Sequence, residues 1–157
     1  MALEKKLFDL GYQTMLLDGD QLRHGLCADL GFSEKDRQEN IRRAAQVARL
    51  FFESGHLVIC TFISPFAQDR AIARSLIPEG RFFEIHVSCD LYVCKRRDPN
   101  GLYQKAIRGE IKNFTGVSSP YEAPDQPEIL LNTDLQSVED SVACILNLLK
   151  EREIIRR

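Results

Sequence analysis

The residues best able to do chemistry fall in a few short segments. Asp18-Gly19-Asp20-Gln21-Leu22-Arg23 follows the apolar pair Leu16-Leu17. Two carboxylates two residues apart, with a guanidinium three residues further on, can manage a metal-bound phosphate and the proton of a hydroxyl acceptor. A polar turn leading into a helix cap would use the same residue types. Phe62-Ile63-Ser64-Pro65 sets a hydroxyl and backbone N–H groups at a helix start, where anions are attracted, although Ser-Pro opens many helices without function. Arg37, Asn40 and Arg43 recur every three residues and share one side of a helix. Guanidinium groups hold phosphate or sulfate bidentately, and an asparagine amide serves a ribose hydroxyl or a sulfonyl oxygen; a solvated arginine face is the plainer alternative. Phe32 and Phe114 stand outside the periodic apolar pattern. Each could stack a nucleobase or pack beneath a loop. His24, His56 and His86 have no Cys or His partner at ligand spacing and read as structural.

Apolar periodicity sets these segments on an alternating series of helices and strands. A helix over 2–10 carries Leu3, Leu7 and Leu10 on one face and stops at Gly11, and a long one over 33–54 opens with Ser33 and Asp36. Shorter helices are expected over 65–76, 90–97 and 102–108, and a terminal one over 137–154. The long helix should turn Ile41, Ala44, Ala48, Phe51 and Phe52 inward and leave Arg42, Arg43 and Arg49 accessible. Strands are expected over 12–17, 56–63, 81–88 and 128–132. The second is continuously apolar and β-branched, as for a strand covered on both faces. Such alternation predicts a single α/β domain over 1–157, with a parallel sheet, helices on both faces and a ligand site beyond the carboxyl ends of the strands. The charged, glycine-containing stretch 98–125 reads as a lid-like cationic flap or as a solvated excursion.

Composition narrows the function classes. A chain of 157 residues with 44% hydrophobic and 28% charged residues matches ordinary globular usage, which excludes wholesale disorder. A net charge of −2 argues against generic adhesion to nucleic acid or to an anionic membrane, so an anionic small molecule would have to be gripped by local arginines. The longest apolar run, 57–66, falls short of the ~20 residues that cross a bilayer. The charged N-terminus lacks the apolar centre of a signal peptide, so a cytoplasmic location is expected. Five cysteines without a C-x-x-C pair suggest neither a disulfide framework nor a zinc site.

Seven segments, in order along nearly the whole chain, resemble the adenylylsulfate kinase family. They are Asp-Gly-Asp-x-x-Arg-His-Gly-Leu (18–26), Asp-Leu-Gly-Phe-Ser (29–33), Arg-x-Glu-Asn-Ile-Arg-Arg (37–43) and Phe-Ile-Ser-Pro (62–65). Asp-Pro-x-Gly-Leu-Tyr (98–103), Gly-Glu-Ile-Lys-Asn-Phe-Thr-Gly (109–116) and Ser-Pro-Tyr-Glu-Ala-Pro (119–124) complete the set. The resemblance implies a P-loop kinase fold and transfer of the ATP γ-phosphoryl group to the 3′-hydroxyl of adenylylsulfate, giving 3′-phosphoadenylylsulfate in sulfate assimilation. ATP enters as co-substrate with Mg2+. By the same resemblance Asp18 and Asp20 are the acidic pair near the magnesium and the acceptor hydroxyl, with Asp18 reaching the metal indirectly. Arg23, Arg37 and Asn40 hold the phosphosulfate and ribose, while Phe32 and Phe114 sandwich the adenine. Ile63 and Ser64 line the same pocket, and Lys105 is a lid residue near the substrate. The family also assigns Ser64 a phosphoserine intermediate, whereas direct in-line transfer needs only positioning and charge stabilisation. Gln21 stands where many relatives carry Asn. A homodimer is implied, as is fusion to or association with an ATP sulfurylase in some relatives.

The resemblance leaves out one element. No G-x-x-x-x-G-K-[ST] loop occurs in the 157 residues, and 2–6 resembles the remainder of the helix that follows it. The expectation is therefore a fold lacking its first strand and Walker A loop, with hydrogen bonding across the sheet interrupted where that strand would lie. An N-terminally truncated reading of a complete kinase would account for this, and the chain as it stands is expected to turn over weakly or not at all. The alternative is a non-catalytic module that binds adenylylsulfate or dimerises.

Overall fold

Eleven elements follow one another through residues 1–156, which the computed structural model describes. They are α1 (Ala2–Asp9), β1 (Thr14–Asp18), α2 (Gly19–Arg23), α3 (Glu34–Glu53), β2 (Leu57–Thr61), α4 (Ala67–Ser75), β3 (Ile85–Ser88), α5 (Leu91–Arg97), α6 (Leu102–Ile107), β4 (Ile129–Asn132) and α7 (Val138–Glu151). The chain divides into two compact units, Met1–Phe82 and Phe83–Arg157.

In the first unit, β1 and β2 run parallel, in register from Thr14 opposite Leu57 to Asp18 opposite Thr61. A parallel pair requires a crossover, and α3 supplies most of it. Its start is fixed by the Ser33 hydroxyl, which accepts from the Asp36 backbone N–H at 3.2 Å. Its end is fixed by Gly55, whose φ of +90° is a conformation that favours glycine. Ile41, Ala44 and Ala45 are buried on this helix, but so are Arg37 and Asn40, at 8% and 5% exposure. The solvated face offered as the plainer alternative for this row therefore does not hold for Arg37 and Asn40. Leu7 from α1 and Leu17 from β1 extend the core. β2 departs from the expectation of a strand covered on both faces: Cys60 and Thr61 are exposed at its end, and among the described residues its ladder partner is β1 alone.

In the second unit, β3 and β4 are also parallel, from Ile85 opposite Ile129 to Ser88 opposite Asn132. Asp90 caps α5 through the Tyr92 N–H at 2.7 Å. Asp98 caps α6 by accepting from the Tyr103 and Gln104 N–H groups, each at 3.1 Å. Ser137 and Asp140 form a reciprocal capping box at α7. Leu131, Ala106, Leu149 and Ile155 are its buried apolar residues.

The four strands thus form two separate parallel pairs, with no ladder joining them among the described residues. This is an α/β, P-loop kinase-like architecture of parallel strands and helices. The 98–125 stretch contains more regular structure than a bare excursion: besides α6, the Phe114 carbonyl accepts from the N–H groups of Ser118 and Ser119 at 2.9 and 3.0 Å, closing a tight turn. Among the described residues no helix is long and apolar enough to cross a membrane.

Candidate functional site

The acidic turn sits where β1 ends. Asp18 leaves the strand with extended backbone angles, so its carboxylate folds over the start of α2 and one oxygen accepts from the N–H groups of Asp20 and Gln21, each at 3.1 Å. The other oxygen accepts from the Thr61 hydroxyl at 2.7 Å, across the β1–β2 ladder. The Thr61 bond, followed by the Gln21 N–H bond, holds the Asp18 carboxyl below its ordinary range. A carboxylate so held is a poor general base near neutral pH and a good fixed negative charge. Asp20 is exposed on the first turn of α2.

Gly19 brings the two strand ends together. A Cβ at this position would lie 3.0 Å from Phe62 Cδ1 and 3.3 Å from the Thr61 carbonyl oxygen, so any larger residue would push the start of α2 or Phe62 aside by a few tenths of an ångström. The segment beyond Phe62 turns sharply, with Ser64 at φ +42°, a conformation costing about 1–3 kcal/mol in a non-glycine residue. Arg70 Nη1 donates to the Ser64 carbonyl at 2.7 Å and holds the turn. Ile63 is exposed and Ser64 half-buried at the mouth of this turn.

The arginines gather around Phe32. The guanidinium carbons of Arg23 and Arg37 stand 4.4 and 5.6 Å from the centroid of its ring, which remains 55% exposed. Arg23 Nη1 donates to the Gly31 and Leu30 carbonyls at 2.7 and 3.3 Å, and Arg37 Nε donates to the Phe32 carbonyl at 3.1 Å. Burial, and then the charge of Arg23, lowers the pKa of Arg37. Two like charges against one aromatic ring form a local positive field suited to an anion. One helical turn further along α3, the buried Asn40 Oδ1 has no hydrogen-bond partner. A buried acceptor left without a donor costs about 1–3 kcal/mol, which a ligand hydroxyl would recover.

Arg43, read as a third anion-gripping group, is already engaged. It pairs with Asp29 at 2.6 Å and with Glu39 at 2.8 Å, so its guanidinium serves the protein. Arg42 and Arg43 together pull the Glu39 carboxyl down to about 2.

Lys105 and Phe114 belong to the second unit. Lys105 is exposed on α6. The Phe114 ring meets Tyr103 edge-on at 5.1 Å, and its backbone N–H donates to the Ser118 hydroxyl at 3.0 Å. Thr61 is the supporting residue that sequence patterns did not single out, while Tyr103 entered only as the end of the 98–103 motif, without a role of its own. Thr61 is betrayed only by strand register, since it lies 43 residues from Asp18.

Known proteins resemble this chain in sequence and fold. The family model described as Adenylylsulphate kinase matches residues 1–132. A probable adenylyl-sulfate kinase of Bacillus subtilis is 53% identical over 154 residues, covering 98% of this chain and 77% of the relative. The bifunctional enzyme NodQ of a Rhizobium species is 56% identical over 151 residues, 96% of this chain and 23% of that protein. Among solved structures, an APS kinase of Mycobacterium tuberculosis in complex with AMPPNP and APS superposes with a TM-score of 0.89 at 46% identity, covering 94% of this chain and 86% of that one. With the family model matched over 1–132 and relatives identical at about half of their aligned residues, the chain belongs to the adenylylsulphate kinase family.

Proposed function

We propose that the protein serves the conversion of adenylylsulfate and ATP to 3′-phosphoadenylylsulfate and ADP, in the cytoplasm, as a step of sulfate assimilation. The observation that carries this reading is the pairing of two guanidinium groups on one exposed aromatic ring with an unpartnered, buried amide oxygen a helical turn away. An adenylate bearing a second anionic group and a ribose offers the complement: a purine for Phe32, charge for Arg23 and Arg37, and a hydroxyl for Asn40. A compact sugar or acid would leave the ring unused. Ile63 and Ser64 follow Phe62, which lies against Gly19 of the acidic turn, and the motif resemblance supports their lining the substrate pocket.

In the transfer step the acceptor 3′-oxygen forms a bond to the γ-phosphorus while the bond to the β,γ-bridging oxygen breaks, ADP departs, and the hydroxyl proton passes to the exposed Asp20. Asp18, kept ionised by Thr61, orients this turn. Among the described residues no group of three or more His, Cys, Asp or Glu side chains could cage a metal. Both Asp18 oxygens already accept hydrogen bonds. This donor set fits a magnesium ion held chiefly by nucleotide phosphates and water, with Asp18 acting through water. When bound, that ion would neutralise charge on the transferring phosphoryl group. No covalent stop on Ser64 is needed, and its role is to shape the pocket through its backbone.

For Lys105 and Phe114 the support is motif resemblance: both would contact substrate from the 98–125 segment acting as a lid, with Tyr103 backing the Phe114 ring. On this reading residues 1–157 work as one catalytic domain, and its oligomer is a homodimer. Kinship with a bifunctional enzyme supports fusion to a second activity, and the family resemblance makes fusion to, or association with, an ATP sulfurylase the reading for that partner. A second reading, an adenylylsulfate-binding module without turnover, draws on the same corner, whose groups complement a sulfated adenylate whether or not a phosphoryl group is transferred.

Titration calorimetry of the purified chain tests both. Adenylylsulfate is expected to bind, ATP alone to bind weakly, and the two together to give little or no product from this chain as it stands. A folded chain that gives no heat with adenylylsulfate would sink the functional reading, and vigorous turnover would refute the expectation of weak activity.

A further inference from the structure

Beyond the groups assigned to substrate, one arginine holds the substrate loop together. Between α2 and α3 the chain runs through residues 24–32 without a regular element of its own, yet it must deliver Phe32 to a fixed place. Four of its carbonyls accept from guanidinium groups: Leu26 from Arg43 at 2.9 Å, Leu30 and Gly31 from Arg23, and Phe32 from Arg37. The three arginines differ in what else they do. Arg23 and Arg37 lie against the Phe32 ring. Arg43 commits four N–H donors to protein: Nε to Glu39 at 2.8 Å, Nη1 to the Leu26 carbonyl and to Asp29 at 2.6 Å, and Nη2 to Asp29 at 2.8 Å. The Asp29 contact is a forked, two-point pair, the geometry a lysine cannot reproduce. Glu39 in turn accepts two bonds from Arg42, which fixes the far side of the clamp to α3.

We infer that Arg43 is a positioning residue for the reaction: by clamping Leu26 and Asp29 to α3, it sets the 24–32 loop so that Phe32 meets the adenine and Arg23 faces the anion. The inference rests on the functional reading above and deepens it. Other parts of the loop are anchored separately, by the buried Cys27 side chain and by the Cys27 N–H bond to the Leu22 carbonyl at 2.8 Å. Loss of the clamp therefore shifts the loop's outer half and leaves the core in place.

The test uses the whole chain with Arg43→Ala, Arg43→Lys, Asp29→Asn and Asp29→Glu. A stacked ring or a charge-assisted hydrogen bond that is lost costs roughly tenfold or more in affinity, so Arg43→Ala, Arg43→Lys and Asp29→Asn are expected to weaken adenylylsulfate binding by at least about tenfold. Asp29→Glu, which keeps the carboxylate, is expected to retain most of the affinity. Amide hydrogen exchange should quicken in 25–31 and stay unchanged in β1, β2 and the middle of α3. Affinity within twofold of the parent for both Arg43→Ala and Asp29→Asn, or unaltered exchange in 25–31, would overturn the inference. Should Arg43→Ala fail to fold, Asp29→Asn changes an exposed side chain and decides the matter alone. Should the parent chain not bind adenylylsulfate, the functional reading falls, and the exchange measurement still decides the clamp.

Discussion

Replacing Arg37 with alanine is expected to weaken adenylylsulfate binding by roughly a hundredfold. Hydrogen bonds from an ionised donor contribute about 1.5–3 kcal/mol each. A two-point grip on an anionic group is therefore worth roughly 3 kcal/mol or more, and each 1.4 kcal/mol is tenfold in affinity. Arg37 is buried and donates to the Phe32 carbonyl, so the substitution also loosens the loop and lowers the melting temperature. Arg37→Lys separates the two effects. It keeps a positive charge but not the planar fork, so affinity is expected to stay low while much of the stability returns. Calorimetric dissociation constants and thermal midpoints, measured side by side, provide the check. Binding by Arg37→Ala that matches the parent would remove Arg37 from the site.

Phe32→Ala is the second large effect and the cleaner one. Stacking of a base on an aromatic side chain is worth about 1–3 kcal/mol, so affinity should fall by roughly ten- to a hundredfold. The ring is 55% exposed and outside the core, and its loss should leave the thermal midpoint within a few degrees of the parent. Phe32→Tyr, which keeps a π-face of similar size, should bind nearly as well as the parent. A large drop in stability with unchanged affinity would assign Phe32 to packing instead.

Much of this arrangement is legible in the sequence, and the parts that are not share a physical cause. The helix starts at Ser33, Asp90 and Ser137 were readable because a cap is a local bargain between a side chain and an N–H group two or three residues on. Helix α2 was readable only as an alternative, a polar turn leading into a cap, because five residues carry no apolar period; the helix exists through the Asp18 cap. The strands came out shorter than their apolar runs, since ladder length depends on the partner: β3 and β4 pair over four residues each. Residue type alone marked Arg37, Asn40 and Arg43 as one row. Depth and partners then separated them, with Arg37 and Asn40 buried and Arg43 tied to Asp29, 14 residues away in a loop. The Thr61 bond that keeps Asp18 ionised spans 43 residues and depends on strand register, which no local pattern encodes.

The account stands or falls on whether the Phe32–Arg37–Asn40 corner of the first unit receives the nucleotide. A crystal structure of this chain grown with adenylylsulfate reads that directly. It should show the adenine on the Phe32 ring, the phosphosulfate on Arg37 with Arg23 beside it, and a ribose hydroxyl donating to Asn40 Oδ1. A bound ligand elsewhere, with Asn40 Oδ1 still unpartnered, would contradict it.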